Sequence, residues 1–391
     1  MFAGCAVFAF SQAPATSAAD TAVAAQIASA AALAEELERA LAASASDTPH
    51  TIEISGDIEI AAQRLVLPIG RSNAAITLRG AGAARSISLY GEGSLFTVGS
   101  GVVLILGENI ALRGNGGNNR ALVQVDSGGS LVMGEGAAIT GNTGGAVNNW
   151  GVFSMRGGTI SDNAGRQGIN GGIGGSGGVF NAGVFVMYDG TISGNSGGEG
   201  AANRWGARGG IGGVNNTGRF EMHGGTISGN SGGLGSGGWG GIGGVSNSGV
   251  FFMHGGTISG NTGGADSGAN IGASSPWDGW GGIGGVFSVG VFTMNGGTIS
   301  GNSGGVGIWS VRYGVTTYGI FRITNGTIYG SDAHEGAANA GGSLRIFGVS
   351  GTARHGTFNS AGFFVTAGIM RNTDDTIHVV DGVILSPVNH R

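Results

Sequence analysis

Two histidines, His223 and His254, stand at the same place in two copies of one nine-residue segment, MHGGTISGN, at residues 222–230 and 253–261. Imidazole is the commonest protein ligand for transition metals, and copies on neighbouring turns of a repeat would bring the two rings close enough to share an ion. The flanking copies carry Arg156, Tyr188 and Asn295 at that position. The column therefore supplies no third ligand, and neither a metal site nor a cofactor is expected. A second set is richer in aromatic rings: Arg204, Trp205, Arg208, Trp239, Trp277, Asp278, Trp280, Trp309, Arg312 and Tyr313 include five of the six tryptophans of the chain. Rings and guanidiniums on loops suit flat contact with a glycan or a protein. The same tryptophans could equally fold back over glycine-rich loops that have no other core. A third set, Asn142, Asn163, Asn195, Asn230, Asn261 and Asn302, closes successive copies. Stacked at one corner, these amides would hydrogen-bond along the stacking axis, a structural role.

What must position these residues is a repeat. Isoleucine recurs at Ile139, Ile160, Ile192, Ile227, Ile258, Ile299 and Ile328, at spacings of 21, 32, 35, 31, 41 and 29 residues. A fixed core unit with a variable insert accounts for this pattern. Beyond the 21-residue core the inserts add 11, 14, 10, 20 and 8 residues at one edge of successive copies, and they hold the tryptophan set. Within each copy Phe and Met stand two apart, at Phe153 and Met155, Phe185 and Met187, Phe220 and Met222, Phe251 and Met253, and Phe292 and Met294. Period two means a strand with both residues on one side. The position between them holds Ser154, Val186, Glu221, Phe252 or Thr293. Such chemical indifference marks the solvent side. In GTIS the isoleucine likewise faces in while Thr and Ser face out.

Short strands joined by glycine corners, about three to a turn of the repeat, predict an all-β chain, a right-handed parallel β-helix whose coils lie about 4.8 Å apart. Ahead of it, AALAEELERALAAS places Leu33, Leu37 and Leu41 on one helical face, with Glu35, Glu36, Glu38 and Arg39 mostly elsewhere. An open solenoid end needs a cover, and this N-terminal α-helix is the expected cap. The expected layout is a signal peptide over 1–19, the capping helix region over 20–48, irregular coils over 49–138, regular coils with edge inserts over 139–330, and C-terminal coils with a cap over 331–391.

Composition narrows the function classes. Glycine contributes 88 of 391 residues, yet GGTISGN breaks the strict every-third-residue rule of collagen, and with only 10% charged residues the chain does not read as disordered. Lysine is absent, which removes phosphate-loop chemistry. A net charge of -5, spread thinly, offers no basic stripe, so nucleic acid is not an expected partner. The only cysteine, Cys5, lies in an apolar N-terminal run that reads as the later part of a secretory signal, with Ser11–Ala13 or Ser17–Ala19 as cleavage site. Phe2–Cys5 also has lipobox form, which would make Cys5 a lipid anchor. Beyond that run no segment is apolar and glycine-free enough to cross a bilayer, so the mature chain is expected to lack a transmembrane segment.

The units GVFTMNGGTISGN and GVFFMHGGTISGN, with the closing stretch GTARHGTFNSAGFFVTAGIMRNTDDTIHVVDGVI, resemble the β-helix repeat proteins of host-associated bacteria, treponemes especially. That resemblance implies a pectate-lyase-like fold and an adhesin-like protein, secreted or at the cell surface. The binding partner would be a host or environmental glycan or a surface protein. The same fold houses polysaccharide lyases and hydrolases, so a carbohydrate-active enzyme is the alternative. Asn372–Asp375 is similar to the NTD element of polygalacturonases, but the histidine of Arg354-His355-Gly356 precedes it and the Arg-x-Lys element is missing. Acidic residues are scattered rather than clustered as calcium ligands. Gly172, Gly174 and Gly177 fit G-x-G-x-x-G without a βαβ unit around them. Ser176, Val214, Val245 and Val286 stand where a calcium-binding glycine repeat needs aspartate. No catalytic residue is assigned.

Overall fold

The structure is a computed structural model; it describes residues 26–43 and 49–304, without 171, 202–206, 237–238 and 266–279, and a few short strands beyond. The segment 1–19 with Cys5, and the Asn372–Asp375 element, lie outside the described residues.

Each coil contributes one strand to each of three parallel sheets. The first face stacks His50–Ile54, Ala74–Gly80, Val102–Leu106 and Ser130–Met133, then continues through the Phe and Met strands to Ile320–Ile323. The second carries the isoleucine strands, such as Thr226–Ser228 and Thr257–Ser259. The third carries a Val-x-Asn strand, such as Val179–Asn181 and Val214–Asn216. In two coils the strand runs unbroken round the corner between the first two faces, over Val152–Ser161 and Val184–Ser193. The result is a three-sided parallel β-helix, with every pairing between face strands of successive coils from residue 50 to residue 300 in parallel register, while Ala207 and Ser236 in the inserts form an antiparallel bridge. Two pairings near the C-terminus are antiparallel instead, Ile377–His378 on Thr327–Ile328 and Ile384–Leu385 on Val365–Thr366.

Register turns the repeat into ladders. Phe153, Phe185, Phe220, Phe251 and Phe292 are fully buried, and consecutive rings from Phe153 to Phe251 stack with centroids 4.7, 4.7 and 4.6 Å apart. The sheet imposes this geometry, because identical residues in register must repeat at the strand separation. The methionines and isoleucines of the same coils are buried beside them. Each such side chain withdrawn from water contributes about 1.5–3 kcal/mol.

Corners are held by polar side chains. Asn142, Asn163, Asn195, Asn230, Asn261 and Asn302 are at most 1% exposed. Each Oδ1 from Asn163 onward accepts the backbone N–H of the asparagine one coil earlier, as Asn230 Oδ1 does from Asn195 at 3.0 Å. From Asn163 onward each side-chain amide also donates to the isoleucine carbonyl of an earlier coil, for example Asn230 Nδ2 to Ile192 O at 2.9 Å. A second ladder runs along the third face, where Asn149, Asn181, Asn216 and Asn247 pass amide hydrogen bonds of 2.7 Å down the stack until Ser288 replaces the amide. The sequence pattern carries it as VNN, VFN, VNN, VSN and VFS, one per coil. Both ladders satisfy polar groups that would be costly to bury alone.

The helix Ala30–Ala42 begins at Ser29, whose hydroxyl accepts the Ala32 N–H at 3.3 Å. Leu33, Leu37, Ala40 and Leu41 join the core cluster, and the helix packs over one strand of each face, Ala74–Gly80, Ile58–Ile60 and Gln63–Leu65, so it caps the open end. Glu36 departs from the simple amphipathic pattern: it is 6% exposed, hydrogen-bonded to His50 Nε2 at 2.7 Å and paired with Arg39. Before the helix, Gln26–Ile27 adds a parallel edge to Glu53–Ile54, a strand too short for its periodicity to be read.

Candidate functional site

The inserts leave each coil after the corner asparagine and return before the third face. They are built as stacked arms of backbone. Gly198 N donates to Gly175 O at 2.9 Å, Gly210 N to Gly198 O at 2.7 Å, Gly233 N to Gly210 O at 3.0 Å and Gly241 N to Gly233 O at 2.9 Å, so the chain of bonds alternates between outgoing and returning arms. Glycine is required here by close approach: a Cβ on Gly198, Gly233 or Gly264 would sit 1.9 Å from a neighbouring carbonyl oxygen. Spacings of three, as in Gly172, Gly175 and Gly178 or Gly241 and Gly244, are the local signal for this packing. The arms thus have an order of their own without a side-chain core.

Of the tryptophan set, Arg208 and Trp239 are fully described. Trp239 is half-buried on a returning arm, and the Arg208 guanidinium lies 4.3 Å from its ring centroid. Trp280 opens the strand Trp280–Ile283, which pairs with Ser310–Arg312. Arg204, Trp205, Trp277, Asp278, Trp309 and Tyr313 lie outside the described residues.

The first insert also forms the wall of a groove of about 1040 Å³. Its floor is the outward side of the third face, where Thr97, Gln124, Asn148, Phe180 and Asn215 follow one another in register. Arg166 and Ile173–Ser176 rise on one side, with Arg120 also on the lining. Asn148 Nδ2 donates to Gln124 Oε1 at 2.7 Å, Gln124 Nε2 to Asp126 Oδ1 at 3.2 Å, and Asn215 Nδ2 to Ser176 Oγ at 3.3 Å. Asn148 Oδ1 is buried and has no protein partner. Trp150, 54% exposed, leans on Phe180 with ring centroids 5.9 Å apart. The sequence offered no motif for this groove, because its amides come from three coils and only the register aligns them.

On the outward side of the first face, Tyr188, His223 and His254 form a stack, with centroids 5.2 and 4.8 Å apart. A carboxylate lies next to the histidine pair. Glu221 precedes His223 by two residues, so it shares the outward side and stands beside the column rather than in it. Its Oε2 lies 3.4 Å from His223 Nε2, and Arg219 Nε donates to its Oε1. Partial burial pushes the Glu221 pKa up, but the donors and charges of Arg219 and His223 outweigh this and hold it below the ordinary carboxylate value.

No family model, curated protein or solved structure matches the chain. The described surfaces with functional character are the amide groove, the glycine arms carrying Arg208 and Trp239, and the Glu-His-His cluster. No helix among the described residues is long and apolar enough to cross a membrane.

Proposed function

We propose that this is an exported, adhesin-like interaction protein whose groove on the third face binds a glycan. The observation that carries the reading is the composition of the groove in register. A column of amides, Gln124, Asn148 and Asn215, surrounds the half-buried ring of Phe180, with Arg120 and Arg166 at the walls and the Asn148 Oδ1 acceptor unpaired. Amides and guanidiniums complement hydroxyls and carboxylates, while an aromatic ring complements the apolar face of a sugar. The described lining includes no carboxylate and no imidazole. It therefore lacks the paired carboxyl groups of glycoside hydrolysis, which favours binding over turnover. The stacked arms extend the surface beyond the wall of the groove, where the Arg208 guanidinium lies over Trp239. Export rests on the apolar N-terminal run, and the adhesin-like character on the resemblance of the repeat units to surface proteins of host-associated bacteria.

The test is a glycan array with the purified chain, followed by calorimetry on a bound glycan and chromatography of that glycan after incubation. Binding without new products is the expected result. Phe180→Ala should weaken binding at least tenfold, about 1.4 kcal/mol or more, and Asn148→Ala should do the same, while circular dichroism stays that of the wild type. Binding that neither substitution changes places the glycan elsewhere and overturns the groove reading. Cleaved products would make the protein an enzyme.

A further inference from the structure

The Glu-His-His cluster lies on a different face from the groove and plays no part in the proposed glycan contact. We propose that Glu221, His223 and His254 form a surface site for a divalent transition ion, zinc or copper. The ligand atoms of all three residues lie within 4.8 Å of one another. Two imidazole nitrogens and one carboxylate oxygen form a donor set that suits zinc and copper, whereas calcium and magnesium prefer all-oxygen sites.

The fold supplies the preorganisation. Met222, between two of the ligands, is fully buried, and Met222 and Met253 pair in register. The two histidines therefore leave adjacent strands at the same height on the same side. With metal–ligand bonds of about 2.0–2.2 Å, tetrahedral ligands stand roughly 3.5 Å apart. The Glu221 to His223 separation of 3.4 Å already meets this. Closing the remainder takes only side-chain rotation of His254, which is exposed. An outer partner is also present: the Asn295 amide lies 3.3 Å from His254 Nδ1. Its Nδ2 donates to Nδ1 there, which keeps the proton of a neutral ring on Nε2, so the ion takes His254 in competition with this bond rather than with its help. The fourth position opens to solvent, so the bound ion keeps a water or takes a donor from outside.

A second neighbour opposes the ion. Arg219 holds Glu221 Oε1 and places a cation beside the site. This opposition gives the proposal a signature that a purely structural cluster lacks. Arg219→Gln removes the competing charge and frees the carboxylate, so it should tighten binding.

The experiment is isothermal titration of the full chain with zinc chloride alone, then copper chloride alone, in a non-chelating buffer. The wild type should take up one equivalent that the His223→Ala/His254→Ala double variant lacks, the double variant absorbing any background from histidines elsewhere. Glu221→Gln should weaken that equivalent about tenfold or more, whereas Arg219→Gln should strengthen it. All four positions point outward, so circular dichroism should report intact coils in every variant. An isotherm identical in the wild type and the double variant overturns the site. Arg219→Gln weakening the uptake would overturn the assignment of Glu221 as a ligand.

Discussion

Gly225 and Gly229 stand four residues apart in one motif and are glycine for different reasons. Gly225 has φ +79, and a Cβ there would lie 2.6 Å from the Met187 methyl of the preceding coil. Gly229 has φ +62 with nothing within 4 Å. The first regular coil shows the difference directly, because Asp162 occupies the position equivalent to Gly229 at φ 58. Gly225→Ala should cost about 2 kcal/mol or more in urea melts, from left-handed strain plus displaced methionine, while Gly229→Asn should stay below about 1 kcal/mol. A similar contrast separates two adjacent asparagines. Asn216 is buried and donates to Asn247 Oδ1 and Val250 O, so Asn216→Ala should cost about 2–3 kcal/mol by orphaning its ladder partners. Asn215, one residue earlier, lines the groove; Asn215→Ala should leave the melt unchanged and weaken glycan binding, read by calorimetry on the same samples. The alternation of strand faces made the inward Phe and Met legible from sequence. It did not distinguish Asn216 from Asn215, because one letter serves as groove residue and ladder residue at successive positions.

Strands, helix and corners were readable because each rests on local periodicity. The arms were not, since their order comes from backbones of different coils meeting at glycine, and a single copy holds only half of each contact. The period-three glycines were visible, but a chain with this much glycine produces such spacings freely. Their role is open to test. Gly233→Ala places a methyl against Gly198 O, and should raise amide hydrogen exchange at Gly210, Gly241 and Gly264 at least tenfold, leaving the amides of the Phe and Met strands protected. Protection lost equally in both would show arms and coils to be one cooperative unit. Between the first two faces of the first coil, Asp57 accepts the Ser86 N–H at 2.8 Å, and this bond, with the Ser86 hydroxyl and the nearby charges of Arg85 and Arg113, holds its pKa below the ordinary value. A depressed carboxylate adds stability that is present above its unfolded pKa, about 4, and is lost as pH falls below it. Thermal melts of the wild type and Asp57→Asn should therefore differ at pH 6 and converge toward pH 3.

At the scale of the whole molecule, contacts run from each coil to the next, so stability accumulates by neighbours rather than through one central core. The position of the functional surfaces follows from this. A groove floor needs several coils in register, and an Asn, a Phe and another Asn become neighbours only because the chain returns to the same height after 32 and then 35 residues. Sequence alone gave those intervals as a variable insert, without showing that the variation is absorbed entirely by the arms. The exact repetition of MHGGTISGN has a consequence for inheritance. Unequal crossing-over between the two copies would join Asn230 to Thr262 and remove residues 231–261, a stretch spanning one coil and its arm. Phe220 would then meet Phe292, and Asn230 would meet Asn302, each in the place of the partner it lost. A gene carrying that deletion should encode a soluble protein one coil shorter, by about 4.8 Å, with an unchanged circular dichroism spectrum. A deletion of the same length begun ten residues later, at Gly241, also spans one period and should fold as well. Lineages holding such a gene could thus lengthen or shorten the molecule in whole steps, each intermediate already folded.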